Sequence, residues 1–148
     1  MYTLNMDYLS FLKILFFISF SLYFILNDKL FFKCKSLYGK ILIVFHHILA
    51  SSILFFGLFF QLYYLNIILV ILTSLSWLIL KQCLISKIHN NLCGFDKNTS
   101  FLNIGTVFRK YIGKKINMEI HYKWEFIILV IILGYNIMMI QQRQINKS

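Results

Sequence analysis

The sequence predicts an all-α membrane protein with four transmembrane helices and an interfacial amphipathic helix before the last span. The chain of 148 residues is 59% hydrophobic and only 14% charged, as is typical of membrane proteins rather than of soluble domains. Residues 41–80 contain no acidic or basic side chain. They form two apolar runs joined by a short polar turn, and each run is close to the ~20 residues that a helix needs to cross the hydrocarbon core.

The four spans are predicted at residues 8–26, 41–62, 65–86 and 122–140, within a single membrane domain that covers residues 1–148. The third helix is expected to continue past Leu80, because the helical pattern continues to Gly94 and glycine is a good helix stop.

Residues 87–121 are predicted to form a cytosolic or interfacial segment. Within it, residues 101–112 place Ile104 and Phe108 on one apolar side with basic residues beside them, which predicts a helix lying in the membrane interface. Residues 114–124 alternate between apolar and polar side chains, which alone would predict a strand. A lone strand beside a membrane would have no partner, so a helical lead-in to the fourth span is the preferred interpretation.

The charges predict how the protein is oriented in its membrane. Lys and Arg number 15 against 5 Asp and Glu, and most of the basic residues lie in two loops, at residues 27–40 and 81–123. The positive-inside rule places both loops in the cytosol and both termini outside or in a lumen. Cys34, Cys83 and Cys93 then lie on or near the reducing side, so no disulfide is expected.

The same charges indicate which partners to expect. Because the basic residues flank apolar spans, we expect the lipid bilayer and anionic lipid headgroups at the basic loops as partners, and no nucleic acid. The sequence leaves open a homo-oligomer or contacts with other membrane proteins.

Small and polar side chains of the second span share one face. At about 100° per residue this face predicts close helix packing, because small residues let helix backbones approach. Hydroxyl groups of the first and third spans reach a similar depth, which predicts a polar layer at one level. The predicted packing residues are His46, Ala50, Gly57, Gln61, Thr73 and Ser76, and the layer also includes His47, Ser19, Ser21 and Ser74.

Two interpretations of this layer remain open. In the structural one, hydroxyls and neutral imidazoles hydrogen-bond to one another between helices. In the functional one, ionisable residues inside a span mark a proton or ligand site, although no Asp or Glu is predicted within the membrane. For haem, the candidate ligands are His46 and His47. On a continuous third helix His89 would lie ~13 Å beyond Leu80, so only a symmetric dimer would supply two facing ligands, and no cofactor is expected.

Metal binding has two candidate ligands, His89 and Cys93, which share a helix face at i and i+4. On a continuous helix Cys83 would lie ~15 Å from Cys93, and the C-x5-H-x3-C spacing is not usual for zinc. We therefore expect no metal. The sequence contains no nucleophile elbow, phosphate-binding glycine loop or paired carboxylates, so we do not expect an enzyme.

Three motifs carry a resemblance to a known group of proteins. They are the pair His46-His47, the pattern W-x5-C-L that starts at Trp77, and N-x-x-C-G that starts at Asn90. With these motifs, residues 41–94 resemble small four-span membrane proteins of large DNA viruses and related metagenomic sequences. That group has no assigned activity, so the resemblance implies a membrane fold and a viral source, and no functional residues.

The sequence therefore predicts a multi-pass membrane protein with a structural or interaction role in a viral or organellar membrane. The alternative is a small redox protein that binds haem, or a proton or ion transport protein, using the layer around His46.

Overall fold

The computed structural model describes residues 8–96, 101 and 118–146, and the side chains of 8–96, 101 and 123–146. Every regular element in this part of the chain is a helix. Four helices are long and apolar enough to cross a membrane, so the predicted all-α class with four such helices is confirmed. The interfacial helix predicted at 101–112 lies outside the described residues, apart from Phe101. The helices are α1 (Tyr8–Phe31), α2 (Leu37–Phe55), α3 (Tyr63–Leu80), α4 (Leu84–Cys93) and α5 (Met118–Ile145).

The spans pack as two pairs, with α1 along α2 and α3 along α5, while the short helix α4 packs against α2. An apolar core of Ile53, Val70, Trp77 and Leu129 lies where α2, α3 and α5 meet. The outward faces carry many exposed apolar side chains. Large apolar surfaces of this kind are expected where lipid replaces water as the surrounding solvent.

The turn between α2 and α3 is closed by backbone and side-chain contacts. Gln61 has a φ of 57°, and the Leu62 N–H donates to the Phe56 carbonyl over 3.0 Å. Arg143 of α5 donates to Gln61 Oε1, and its Cζ lies 4.8 Å from the centre of the Tyr63 ring. Gln61, predicted on a helix-packing face, is thus exposed at the turn and joins it to the end of α5.

The third helix ends at Leu80, so the continuous helix predicted through residue 86 and on to Gly94 is wrong. Lys81 adopts the left-handed conformation with φ 54°. The Ser76 hydroxyl accepts from the Leu84 N–H over 2.8 Å and donates to the Gln82 carbonyl over 3.3 Å. Because one serine satisfies a backbone group within the turn and another at the start of α4, it stabilises the turn. The helix α4 then packs against α2.

The end of α4 and the start of α5 agree with the predictions from the sequence. Gly94 ends α4 with a φ of 70°, as predicted from its freedom to adopt the left-handed conformation. The helix α5 already begins at Met118. The alternating stretch is therefore helical from Met118 onward, as preferred, while residues 114–117 lie outside the described part.

Gly57 lies in the turn after α2 and packs closely against side chains of α3 and α5. A Cβ atom there would collide with Asn136 Oδ1 and would lie 2.9 Å from Asn66 Nδ2. These two asparagines are themselves buried and hydrogen-bonded over 3.4 Å. The neighbouring Leu58 is 54% exposed, so the two adjacent positions have opposite environments.

We expect Gly57→Leu to lower the free energy of unfolding by about 1–3 kcal/mol, because a bulky side chain overpacks a filled interior. Thermal unfolding of the purified protein in detergent measures the change. Leu58→Phe is the matched control and should leave the transition where it is, since Leu58 faces outward. Equal shifts for the two variants would contradict the placement of Gly57.

Candidate functional site

A buried acid–histidine pair joins the last turn of α1 to the middle of α2. His47 Nε2 donates to Asp28 Oδ2 over 2.7 Å, and the two side chains are only 4% and 0% exposed. Asp28 belongs to α1, which extends to Phe31 instead of ending near residue 26. The prediction placed Asp28 outside the first span, whereas Asp28 lies within a helix that is long and apolar enough to cross a membrane. Breaking a buried pair of this kind is costly, and an ionisable residue in an apolar helix is a candidate for a functional site.

His46 faces a different partner. Its Nδ1 lies 3.5 Å from Cys83 Sγ, and its ring centre lies 4.5 Å from that of Phe101. Cys83 is a free cysteine in the turn before α4. Burial raises the pKa of this thiol, which favours its protonated form. The two haem candidates, His46 and His47, thus contact a thiol and a carboxylate.

The reversal at Lys81 brings His89 of α4 close to the histidines of α2, since His46 and His89 both contact the Phe101 ring. The side chain is fully buried and its ring stacks on Phe95 with centres 5.7 Å apart. His89 Nδ1 lies 3.4 Å from Asn90 Oδ1, whereas Nε2 has no hydrogen-bond partner among the described residues. Burial lowers the pKa of His89, against the opposing effects of Asn90 and the Asp28 charge.

Phe101 shows how close the three histidines are. Its ring centre lies 4.5 Å from that of His46, 5.9 Å from His47 and 4.8 Å from His89. The prediction that His89 lies far from the second-span histidines is therefore wrong. That prediction assumed a continuous third helix, whereas the chain turns at residues 81–83.

Cys34 and Cys93 form a disulfide, with a Cα–Cα distance of 5.2 Å, which is within the usual range. The bond joins the loop between α1 and α2 to the end of α4. The prediction of no disulfide is therefore wrong. Three cysteines allow three pairings, and the sequence shows no sign that α4 folds back to favour this one.

Gly39, in the first turn of α2, makes room for this disulfide. A Cβ atom at Gly39 would collide with both sulfur atoms. The N-terminus of α2 is fixed by Ser36, whose hydroxyl accepts from the Gly39 N–H over 3.4 Å. The absence of a side chain at Gly39 thus allows the cysteine pair to lie directly against α2.

His89 lies beside the cysteine pair. One ligand atom from each of Cys34, His89 and Cys93 lies within 4.8 Å of the other two. The structure therefore brings together His89 and Cys93, the two metal candidates of the sequence, and adds Cys34. Cys83 contacts His46 instead. We call Asp28, Cys34, His46, His47, Cys83, His89 and Cys93 the cap cluster.

The hydroxyl groups predicted at the level of the histidines have separate partners. Ser21 donates to Ser51 over 2.8 Å between α1 and α2, whereas Ser19 is exposed. Ser76 bonds to the start of α4, as described above. Ala50, Thr73 and Ser74 are half-buried. These contacts form local pairs, and the ionisable partner of His47 is an acid rather than a hydroxyl.

The four long apolar helices are compatible with a multi-pass membrane protein, and the cap cluster gives this fold a site of acid, histidine and cysteine side chains. A comparison of the chain with protein-family models, curated proteins and solved structures finds no match.

Proposed function

We propose that the protein is a membrane thiol–disulfide redox protein whose redox pair is Cys34 and Cys93. The observation that carries the proposal is the position of the disulfide, which joins the two loops that hold most of the basic residues. The positive-inside rule favours a cytosolic location for these loops. Disulfides in the cytosol are rare, and those that form are usually transient and catalytic or redox-sensing.

The unequal burial of the two sulfurs suggests which of them the partner attacks. Cys34 is buried and Cys93 is half-buried, so a thiolate of a partner dithiol attacks Cys93. The sulfur–sulfur bond breaks, and Cys34 leaves with the electron pair and takes up a proton. The second thiol of the partner then attacks the partner's own sulfur and releases Cys93. The partner is oxidised to a disulfide, and Cys34 and Cys93 become two thiols.

The alternative function predicted from the sequence was a redox protein that binds haem. The present proposal keeps a redox function but assigns it to a cysteine pair. The histidines of the second span support that choice, because binding haem would disrupt the contacts of His47 with Asp28 and of His46 with Cys83. His89 is the histidine next to the sulfurs.

The test measures the redox state of the pair in living cells. Cells expressing the protein are quenched with acid, and free thiols are labelled with a maleimide of high mass that shifts the gel band. A Cys83→Ser background leaves only the pair to report. We expect a mixture of reduced and oxidised protein that becomes oxidised with a membrane-permeant oxidant and recovers after its removal.

Single-cysteine variants test the roles of the two sulfurs. Cys34→Ser leaves Cys93 able to hold a partner as a mixed disulfide, which should appear as a reducible band of higher mass. Cys93→Ser should give much less of that band, because the remaining sulfur is buried. A pair that is fully oxidised in all cells and does not respond to oxidant or reductant would overturn the proposal.

A structural or interaction role is the second candidate, as the sequence predicts. It is favoured by the exposed apolar faces, for example Leu22 of α1 and Ile131 of α5. The bilayer covers such faces, and a second copy or another membrane protein in a viral or organellar membrane would also fit them. An unresponsive disulfide would support this role, since the bond would then only hold the cap cluster together.

A further inference from the structure

We propose that, after reduction of the disulfide, Cys34, Cys93 and His89 bind one Zn²⁺ ion. The inference rests on the proposed function only in requiring that the pair is reduced for part of the time. It begins from the convergence of two sulfurs and an imidazole nitrogen within 4.8 Å. The three residues come from the α1–α2 loop and from α4.

The three ligand atoms lie close enough together to bind one tetrahedral ion after the disulfide is reduced. Zinc lies about 2.3 Å from sulfur and about 2.0–2.1 Å from nitrogen, so its ligand atoms are about 3.5–3.8 Å apart. Reduction lets the two sulfurs separate toward that distance. Cys34 lies in the non-helical residues between α1 and α2, where small backbone changes are cheap. Gly39 leaves space for the sulfurs on the side of α2.

The second observation is the unsatisfied nitrogen of His89. Nε2 is buried without a hydrogen-bond partner among the described residues, and a buried polar atom in that state is costly. Nδ1 lies 3.4 Å from Asn90 Oδ1. When Nδ1 carries the proton and donates it to Asn90, the lone pair of Nε2 is free to bind a metal. Metal-binding histidines are commonly oriented by such a second hydrogen bond.

The charges of the three ligands favour Zn²⁺ over other ions. Two thiolates and a neutral imidazole balance Zn²⁺, so the site can be buried without net charge. Cu(I) would leave one negative charge, and Mg²⁺ and Ca²⁺ prefer oxygen ligands. Three protein ligands leave a fourth position for water, as in zinc sites that act on a substrate.

The test uses the full-length protein, purified in detergent, reduced and freed of metal, with Co²⁺ as a spectroscopic probe. We expect about one Co²⁺ per chain, with thiolate charge-transfer absorption and the strong visible bands of a tetrahedral ion. Zn²⁺ should displace Co²⁺ and abolish the spectrum. Cys34→Ser, Cys93→Ser and His89→Gln should each weaken binding by more than about a hundredfold, beyond the effect of losing an outer-shell residue.

Cys83→Ser is the matched control, since this cysteine lies outside the group of three, and its spectrum should be unchanged. Circular dichroism shows that each variant remains helical. Binding that survives Cys34→Ser or His89→Gln, or that is lost in Cys83→Ser, would overturn the zinc site. Failure of the redox proposal has a different signature: the pair stays oxidised in cells, while the chemically reduced protein still binds Co²⁺.

Discussion

Asp28→Ala is expected to lower the free energy of unfolding by about 3–5 kcal/mol, the largest effect expected for a single side chain here. Asp28 and His47 are both buried and share a 2.7 Å hydrogen bond. Removing the acid leaves the imidazole nitrogen without its acceptor inside the bundle. Reversible unfolding in mixed micelles, followed by circular dichroism, measures the loss.

The double variant Asp28→Leu with His47→Phe is the control. Replacing both members of a buried ion pair by apolar residues of similar size is often neutral, so most of the lost stability should return. Phe24 stacks on His47 with ring centres 5.8 Å apart, and a phenyl ring at position 47 can keep this contact. A double variant as unstable as Asp28→Ala would show that the pair does not act as a unit.

Loss of the disulfide should have the next largest effect, because the bond closes a long loop. The two cysteines are 59 residues apart, and constraining the unfolded chain over such a loop typically contributes about 2–4 kcal/mol. We expect Cys34→Ser to lower the free energy of unfolding by this amount when a chelator keeps metal away. The same unfolding assay measures it.

Two comparisons separate the effect of losing the disulfide from the effect of replacing a cysteine side chain. The wild-type protein in reductant should match Cys34→Ser, because both lack the cross-link. Cys83→Ser should unfold like the oxidised wild type, since Cys83 is free. A Cys34→Ser variant as stable as the oxidised wild type would show that the loop is already constrained without the bond.

The four helices that are long and apolar enough to cross a membrane were predictable because they depend on local properties. A run of apolar residues without charge identifies a span whatever it packs against. The end of α1 was predicted too early because Asp28 and Lys29 have the composition of a loop. The buried partner of Asp28 is His47, 19 residues away, and the sequence contains no signal for that pairing.

The histidines of the cap cluster were identified from the sequence, but their partners were not. His46, His47 and His89 are unusual residues in or near apolar segments, so they are noticed at once. The grouping of His89 with Cys34 depends on the reversal of the chain at Lys81. The contacts that produce the reversal are made by Ser76, which a helical pattern alone cannot distinguish from a residue inside a longer span.

The disulfide also changes how the chain carries mechanical load. It encloses α2, α3 and α4 in a closed loop, so a force applied to the two ends of the chain passes through the sulfur atoms and bypasses these helices. Only the chain outside the closed loop, which includes α1 and α5, then bears the force. Reduction would add the 59 residues between the cysteines to the extensible chain, about 200 Å when fully extended. The redox state of one bond thus determines whether the central hairpin bears tension.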